Sequence, residues 1–421
     1  MTEATQIRHP HLLENYARAP LTIVRGEGVW LFDDRGERYL DFIAGIAVCA
    51  LGHAHPAITA AIAEQAGRLV QCSNLFHHEP AGTLANELAA RSGFERVFFC
   101  NSGAEANEAA IKLARKLAFR RGELERRTIL SCEGGFHGRT LGALAATPNP
   151  AYHAGFEPLP GGFEHVPFND IAALERALDE RIAAFIVEPV QGESGIVPAD
   201  PAYLEAARRL CDERGALLVF DEIQCGMGRL GHLFAFEAYG VRPDLVTLAK
   251  ALANGLPIGA VLIDARCASG LQPGDHGTTF GGSPVPCAAA LAHLRVRDSF
   301  DARSTGLSAG GDGRGLDRHV EHVGAVLLDG LRELALRFPE IAGEPRGRGL
   351  MLGLPIREPF QAREISAAAR EREHLLVNAA GRNTLRFVPP LILSVDEARD
   401  GLARLGRILE AEERVPAGQG A

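Results

Sequence analysis

Six short apolar runs, at 97–100, 128–131, 184–188, 217–221, 245–249 and 258–263, punctuate the middle of this chain. Helix-period segments fit around and between them, at 57–70, 82–91, 104–120, 171–181 and 202–214. A strand with one face in water alternates apolar and polar residues. These runs are apolar nearly throughout, which requires cover on both faces. Buried strands separated by helices predict an α/β fold with a mainly parallel sheet sandwiched by helices.

The flanks read differently. Val29 to Phe32 and Arg38 to Phe42, joined through Asp33-Asp34-Arg35-Gly36, predict a hairpin. Beyond about 295, helices at 318–337, 362–373 and 395–412 alternate with strands at 350–354 and 385–388, which suits a smaller α+β unit. The Gly-rich segment 303–315 reads as a mobile loop, and the final PAGQGA as a frayed tail. With 46% hydrophobic residues and a net charge of -9, the chain has a globular composition and no basic stripe for nucleic acid. Eight scattered cysteines without a CxxC pair read as buried thiols of a reducing compartment. The start shows no apolar signal core and no stretch is long enough to span a membrane, so the expectation is a cytoplasmic protein.

Two strand ends carry the chemistry. FDEIQ (220–224) closes one apolar run with a carboxylate, and TLAKAL (247–252) closes the next with a lysine. A buried lysine is costly as a cation and tends toward the neutral, nucleophilic amine. An amine beside an acid suits pyridoxal phosphate (PLP): Lys250 forms a Schiff base, and Asp221 keeps the ring nitrogen protonated. Taken singly, Asp221 could be a helix cap and Lys250 a solvated strand end.

Other segments supply the remaining parts. Ser102, Gly103 and Ala104 lie where a strand passes into a helix, with Ser102 and Glu105 spaced as a capping box. Alone this is a plain capped helix; in the same sheet as Asp221 and Lys250, the free amides at that helix start make an anion site. Phe136, between glycines, can lie flat on a planar ring, and Arg139 offers a fork for a carboxylate; taken singly they read as a packed loop Phe and a surface Arg. Thr278 and Thr279 place two hydroxyls on a Gly-bracketed loop. Glu188 either faces the pocket or is a loop charge. Gly226-Met227-Gly228-Arg229-Leu230-Gly231 matches the dinucleotide pattern, but Asp221 and Glu222 stand between it and the strand and would repel a pyrophosphate. It reads as a flexible loop under the cofactor. The histidines at 53, 55, 77 and 78 lack ligand company, and no metal site is expected.

The strings FCNSGAEANEAAIKLARK (99–116), FHGRT (136–140), VEPVQGE (187–193), FDEIQ, TLAKAL and HGTTFGG (276–282) resemble class III, fold-type I PLP-dependent aminotransferases. Within that class they are most similar to the acetylornithine group. The resemblance implies a fold-type I PLP-dependent transferase with a seven-stranded sheet in a large domain over 61–295. A smaller α+β domain is then assembled from 1–60 and 296–421. It implies Lys250 as Schiff-base lysine and proton shuttle and Asp221 as partner of the pyridine nitrogen. Glu222, Ile223 and Gln224 fall in the cofactor loop, with Gln224 near the ring hydroxyl. Ser102, Gly103 and Ala104 would hold the phosphate, Phe136 would stack on the ring, and Thr279 would reach the phosphate of a neighbouring subunit in a homodimer. Arg139 would take the substrate carboxylate, with Thr278 beside it, and Glu193 would gate Arg386. The implied reaction moves the terminal amine of N-acetylornithine to 2-oxoglutarate, in arginine biosynthesis. The alternative donors are succinylornithine, ornithine, succinyldiaminopimelate and 4-aminobutyrate. Thr278 departs from the serine common in the family, and 303–315 looks like an insertion.

Overall fold

The computed structural model describes residues 11–300 and 314–414. The tail and nearly all of the Gly-rich segment 303–315 lie outside the described residues. The central sheet has seven strands: β1 (Arg96–Cys100), β2 (Thr128–Cys132), β3 (Phe163–Val166), β4 (Ile182–Val187), β5 (Leu217–Asp221), β6 (Leu245–Leu248) and β7 (Gly259–Ile263). Their spatial order is β1-β7-β6-β5-β4-β2-β3. Only β7 runs against its neighbours. Every residue of β4 and β5 is buried, which explains their unbroken apolar sequence. Burying a side chain such as Phe185 or Phe220 contributes roughly 1.5–3 kcal/mol.

Several elements of this unit escape the sequence pattern, and two of them show why. β3 reads Phe-Glu-His-Val and forms the sheet edge, where polar residues are tolerated. The helix Pro284–Ser299 carries prolines in its first turn and is buried on most of its circumference, so it shows no one-sided stripe.

The predicted hairpin forms, with Trp30–Asp33 antiparallel to Arg38–Asp41. The Asp33 carboxylate accepts from the amides of Arg35 and Glu37, at 2.9 Å each, and fixes the turn. Leu375–Leu376 adds to this sheet alongside Arg38–Asp41, so the two ends of the chain share one sheet. A second sheet, in the order Arg346–Arg348, Met351–Pro355, Thr384–Phe387, Asn378–Ala380, completes the C-terminal part. The helices Gly315–Arg337, Ala362–Glu373 and Val395–Glu413 accompany it. Ser394 and Glu397 cap the last helix reciprocally, a box that stabilises its first turn.

No helix among the described residues is long and apolar enough to cross a membrane. The eight cysteines are free, six of them buried.

Candidate active site

Because β1, β2, β4, β5 and β6 point the same way, their C-terminal ends open on one edge of the sheet. Ligands of open α/β sheets gather at that edge. A cavity of about 420 Å³ lies there. Its lining comes from the loop after each of those strands: Ser102, Gly103 and Ala104; Phe136 and Arg139; Glu188 and Glu193; Asp221, Ile223 and Gln224; and Lys250.

Lys250 opens a short 3-10 turn directly after β6, at a φ of 40° that a side-chain-bearing residue adopts at a cost. The sheet and the turn hold that backbone, and the amine lies inside the cavity wall. Burial lowers its pKa more than Glu193 and Asp221 raise it, which shifts the amine toward the neutral form.

Asp221 is only 2% exposed, yet its carboxylate is fully engaged. Asn107 Nδ2 donates to it at 2.7 Å, His137 Nδ1 lies at 2.8 Å, and the Ile223 amide donates at 3.1 Å. Thr247, from β6, donates to Asn107 Oδ1 at 2.9 Å and so orients the amide. Burial lowers the His137 pKa, but the hydrogen bond and charge of Asp221 outweigh it, and the ring is held above its ordinary value. Asn107 and His137 were not among the residues expected from sequence. Asn107 is a buried polar residue on the alanine-rich face of its helix, the one signal that could have exposed it.

Ser102 caps the helix Gly103–Arg120, its hydroxyl accepting from the Glu105 amide at 3.2 Å. The other half of the expected box differs: Glu105 reaches the amide and side chain of Asn101. The first amides of the helix have no partner within it, and Gly103 and Ala104 border the cavity. Gly103 is required by packing, because a Cβ there would sit 2.7 Å from Ile223.

Glu188 also lines the cavity. It accepts from the amides of Phe136 at 2.8 Å and Gly192 at 3.1 Å, tying two lining loops together. Burial and the nearby Asp221 push its pKa up to about 7. Arg139 is exposed, its guanidinium stacked 3.7 Å from the Tyr152 ring centroid. Among the described residues no carboxylate pairs with it. Glu193 meets Arg386 at 2.6 Å; Arg386 is buried and Glu193 about one-third exposed. Burial raises the Glu193 pKa, but Arg386 outweighs this and keeps it below the usual value.

Two expected members stand elsewhere, and Thr279, expected to reach a neighbouring subunit's site, lies off this one. Glu222 points away from the cavity, accepting from the amides of Ala235 at 2.6 Å and Phe236 at 2.7 Å. It caps a helix on the far side of the loop. Thr278 and Thr279 lie off the cavity lining; Thr278 accepts from Asn101 Nδ2 at 3.0 Å, while Thr279 is exposed. The glycine-rich loop 226–231 is packed, with Met227, Arg229 and Leu230 each 1% exposed, so the expectation of a flexible loop is corrected. His55 and His78 cap helices, and no group of residues among those described could hold a metal ion.

This arrangement is shared with known proteins. The family Aminotransferase class-III matches residues 13–409. The acetylornithine aminotransferase of Xylella fastidiosa (strain Temecula1) is 49% identical over 400 residues, covering 94% of each chain. That of Thermosynechococcus vestitus is 46% identical over 94% of this chain and 95% of its own. Among solved structures, an ornithine aminotransferase of Toxoplasma gondii, crystallised with partial occupancy of PLP at its active site, aligns with a TM-score of 0.88 at 35% identity. The alignment covers 96% of this chain and 93% of that one. The N-acetylornithine aminotransferase of Stenotrophomonas maltophilia aligns at 0.79 and 39% identity, over 94% and 98%. A half-buried lysine lining one cavity with a buried, fully hydrogen-bonded acid, within a match that spans almost the whole sequence, makes this chain a member of the class-III aminotransferases, which are PLP enzymes.

Proposed function

We propose that the chain transfers the terminal amino group of N-acetyl-L-ornithine to 2-oxoglutarate, yielding N-acetyl-L-glutamate 5-semialdehyde and L-glutamate. In metabolic terms this is a step of arginine biosynthesis. The observation that carries the chemistry is Lys250: a neutral-leaning amine in a cavity whose wall is closed by Asp221. The donor is supported by the acetylornithine aminotransferases to which the chain is 44–49% identical.

The residues present fit PLP. Asp221 is an acid held as an acceptor by Asn107, His137 and the Ile223 amide, which suits a protonated ring nitrogen. The helix start at Ser102, Gly103 and Ala104 suits a phosphate. Phe136 offers an aromatic face and Gln224 an amide for the ring substituents. Bound there, PLP would supply an electrophilic aldehyde and an electron-withdrawing ring. The chain then handles protons and carboxylates. Lys250 takes a proton from the amine-bearing carbon and returns it, a role that needs the neutral amine. Arg139 binds the carboxylate of the acylated donor. Glu193 covers Arg386 while the donor is present, then releases it to the second carboxylate of the keto acid.

A homodimer fits the exposed apolar cluster Val70, Leu75, Phe76 and Phe280. Gln71 and Asn74 tie this cluster to the loop carrying Thr278 and Thr279 by hydrogen bonds of 2.8 and 3.0 Å. Such a cluster marks an association surface, and it would present Thr279 to a neighbouring site. A cytoplasmic location and the division into 1–60, 61–295 and 296–421 complete the reading; the sheet shared by both chain ends supports the latter.

The ornithine aminotransferase alignment favours free ornithine as the second donor. A panel of N-acetylornithine, succinylornithine, ornithine and 4-aminobutyrate with 2-oxoglutarate tests the choice. The expected result is the highest kcat/KM for N-acetylornithine; a higher value for ornithine would reverse it.

A further inference from the structure

Arg229 is one of the two largest side chains buried below 2% exposure, and the mechanism does not use it. Buried cations normally pair with carboxylates, because burial alone strips their hydration without return. Arg229 has no such partner among the described residues. Its Nη1 donates to two backbone carbonyls, Leu350 at 3.2 Å and Pro389. Its own carbonyl accepts from the Leu350 amide at 3.1 Å. Gly349 allows this approach, since a Cβ there would lie 2.5 Å from the Arg229 oxygen. Nη2 finds no partner, and burial pulls the pKa down to about 9. An apolar side chain could fill the space without the charge. Retaining a guanidinium there serves a directional need: one rigid donor holding two carbonyls in fixed relation.

Those two carbonyls have a meaning for the site. Leu350 leads into the strand Met351–Pro355, and Pro389 follows the strand Thr384–Phe387. The strands pair antiparallel with Gly353 opposite Arg386. Arg229 thus pins together the start of one strand and the exit of the other, next to the residue that meets Glu193. On its own side it sits in the loop leaving Gln224, a cavity residue, and the adjoining Leu230 packs in one cluster with Met351 and Val388.

We propose that Arg229 is a positioning residue for the acceptor half of the reaction: it locks the Arg386-bearing strand against the loop that follows Asp221, so that the guanidinium of Arg386 is presented to the second carboxylate of a dicarboxylic keto acid. This assignment rests on the acceptor role proposed above for Arg386. Donor binding through Arg139 comes from the loop after β2 and does not depend on the clamp.

The test measures the two half-reactions separately by the cofactor absorbance of the holoenzyme, for wild type, Arg229→Met and Arg229→Lys. In Arg229→Met, kcat/KM for 2-oxoglutarate should fall about 10-fold or more, while the donor half stays within about twofold of wild type. Arg229→Lys, which keeps the charge but replaces the planar fork with a single ammonium, should fall in between. Hydrogen exchange of the amides in Thr384–Phe387 should quicken in Arg229→Met. Equal losses in both halves, an unchanged acceptor half, or failure of both variants to fold would overturn the assignment, the last by making Arg229 a residue of folding alone. Wild-type enzyme that accepts no dicarboxylic keto acid would remove the underlying reading and this inference with it.

Discussion

The two ends of the cavity are built on opposite principles. At the Asp221 end, acid, amide and imidazole are all buried, and the contacts to the carboxylate span 2.7–3.1 Å. At the Glu193 end, one ion pair joins a buried Arg386 to a carboxylate still about one-third exposed. The first end cannot move without leaving a charge unsatisfied. The second can open at the cost of that ion pair and a 3.3 Å hydrogen bond from Gln224, because water reaches Glu193. A site that must hold one group permanently and admit two different substrates in turn needs both kinds of construction.

The largest effect should follow from removing the amine that both ends face. Lys250→Ala should lower kcat at least about 10⁴-fold in steady-state assays, with little change in fold; retained turnover would contradict the shuttle role. The fixed end should break next. Asn107→Ala deprives the Asp221 carboxylate of a donor, and a hydrogen bond to a charged group is worth about 1.5–3 kcal/mol. Thermal denaturation should register that loss, and PLP titration a weakening of about 10-fold. The detachable end should respond in selectivity more than in stability. Glu193→Gln removes the charge that holds this side chain over Arg386, so the preference for N-acetylornithine over glutamate, as a ratio of kcat/KM, should drop about 10-fold.

The smallest effect isolates two adjacent carboxylates. Burial pushes the Glu222 pKa up to about 8 from 4.5. An acid whose pKa is raised on folding holds more protons folded than unfolded, so its contribution falls as pH rises through that window. Glu222→Gln should flatten the decline of Tm between pH 4.5 and 8 without changing the half-reactions. An unaltered pH profile of Tm would show that the carboxylate carries no such penalty.

The same contrast explains what could be read from the sequence. The sheet was legible because β4 and β5, buried on both faces, have no choice but apolar residues. β3, an edge strand with Glu164 and His165, is free of that constraint and left no such trace. Lys250, Asp221, Phe136 and Arg139 end up around one cavity because each follows a strand end, a position that sequence can mark. Asn107 and His137 act through tertiary contacts across the sheet edge, and spacing along the chain says nothing of them. Glu222 shows the limit from the other side: its neighbour faces the cavity, and one residue further along the backbone has turned its side chain to a helix start. Arg229 looked like a residue of a loose loop because its glycines suggest freedom, whereas Gly226 lets the Glu222 carbonyl approach and Gly228 and Gly231 hold positive φ within a packed turn.

The central claim is that the amine of Lys250, and no other, attaches the coenzyme. Borohydride reduction of the PLP-loaded protein, followed by proteolysis and mass spectrometry, tests it directly. A single phosphopyridoxyl label on the peptide containing Lys250 is expected; a label on any other lysine, or none, would contradict that attachment.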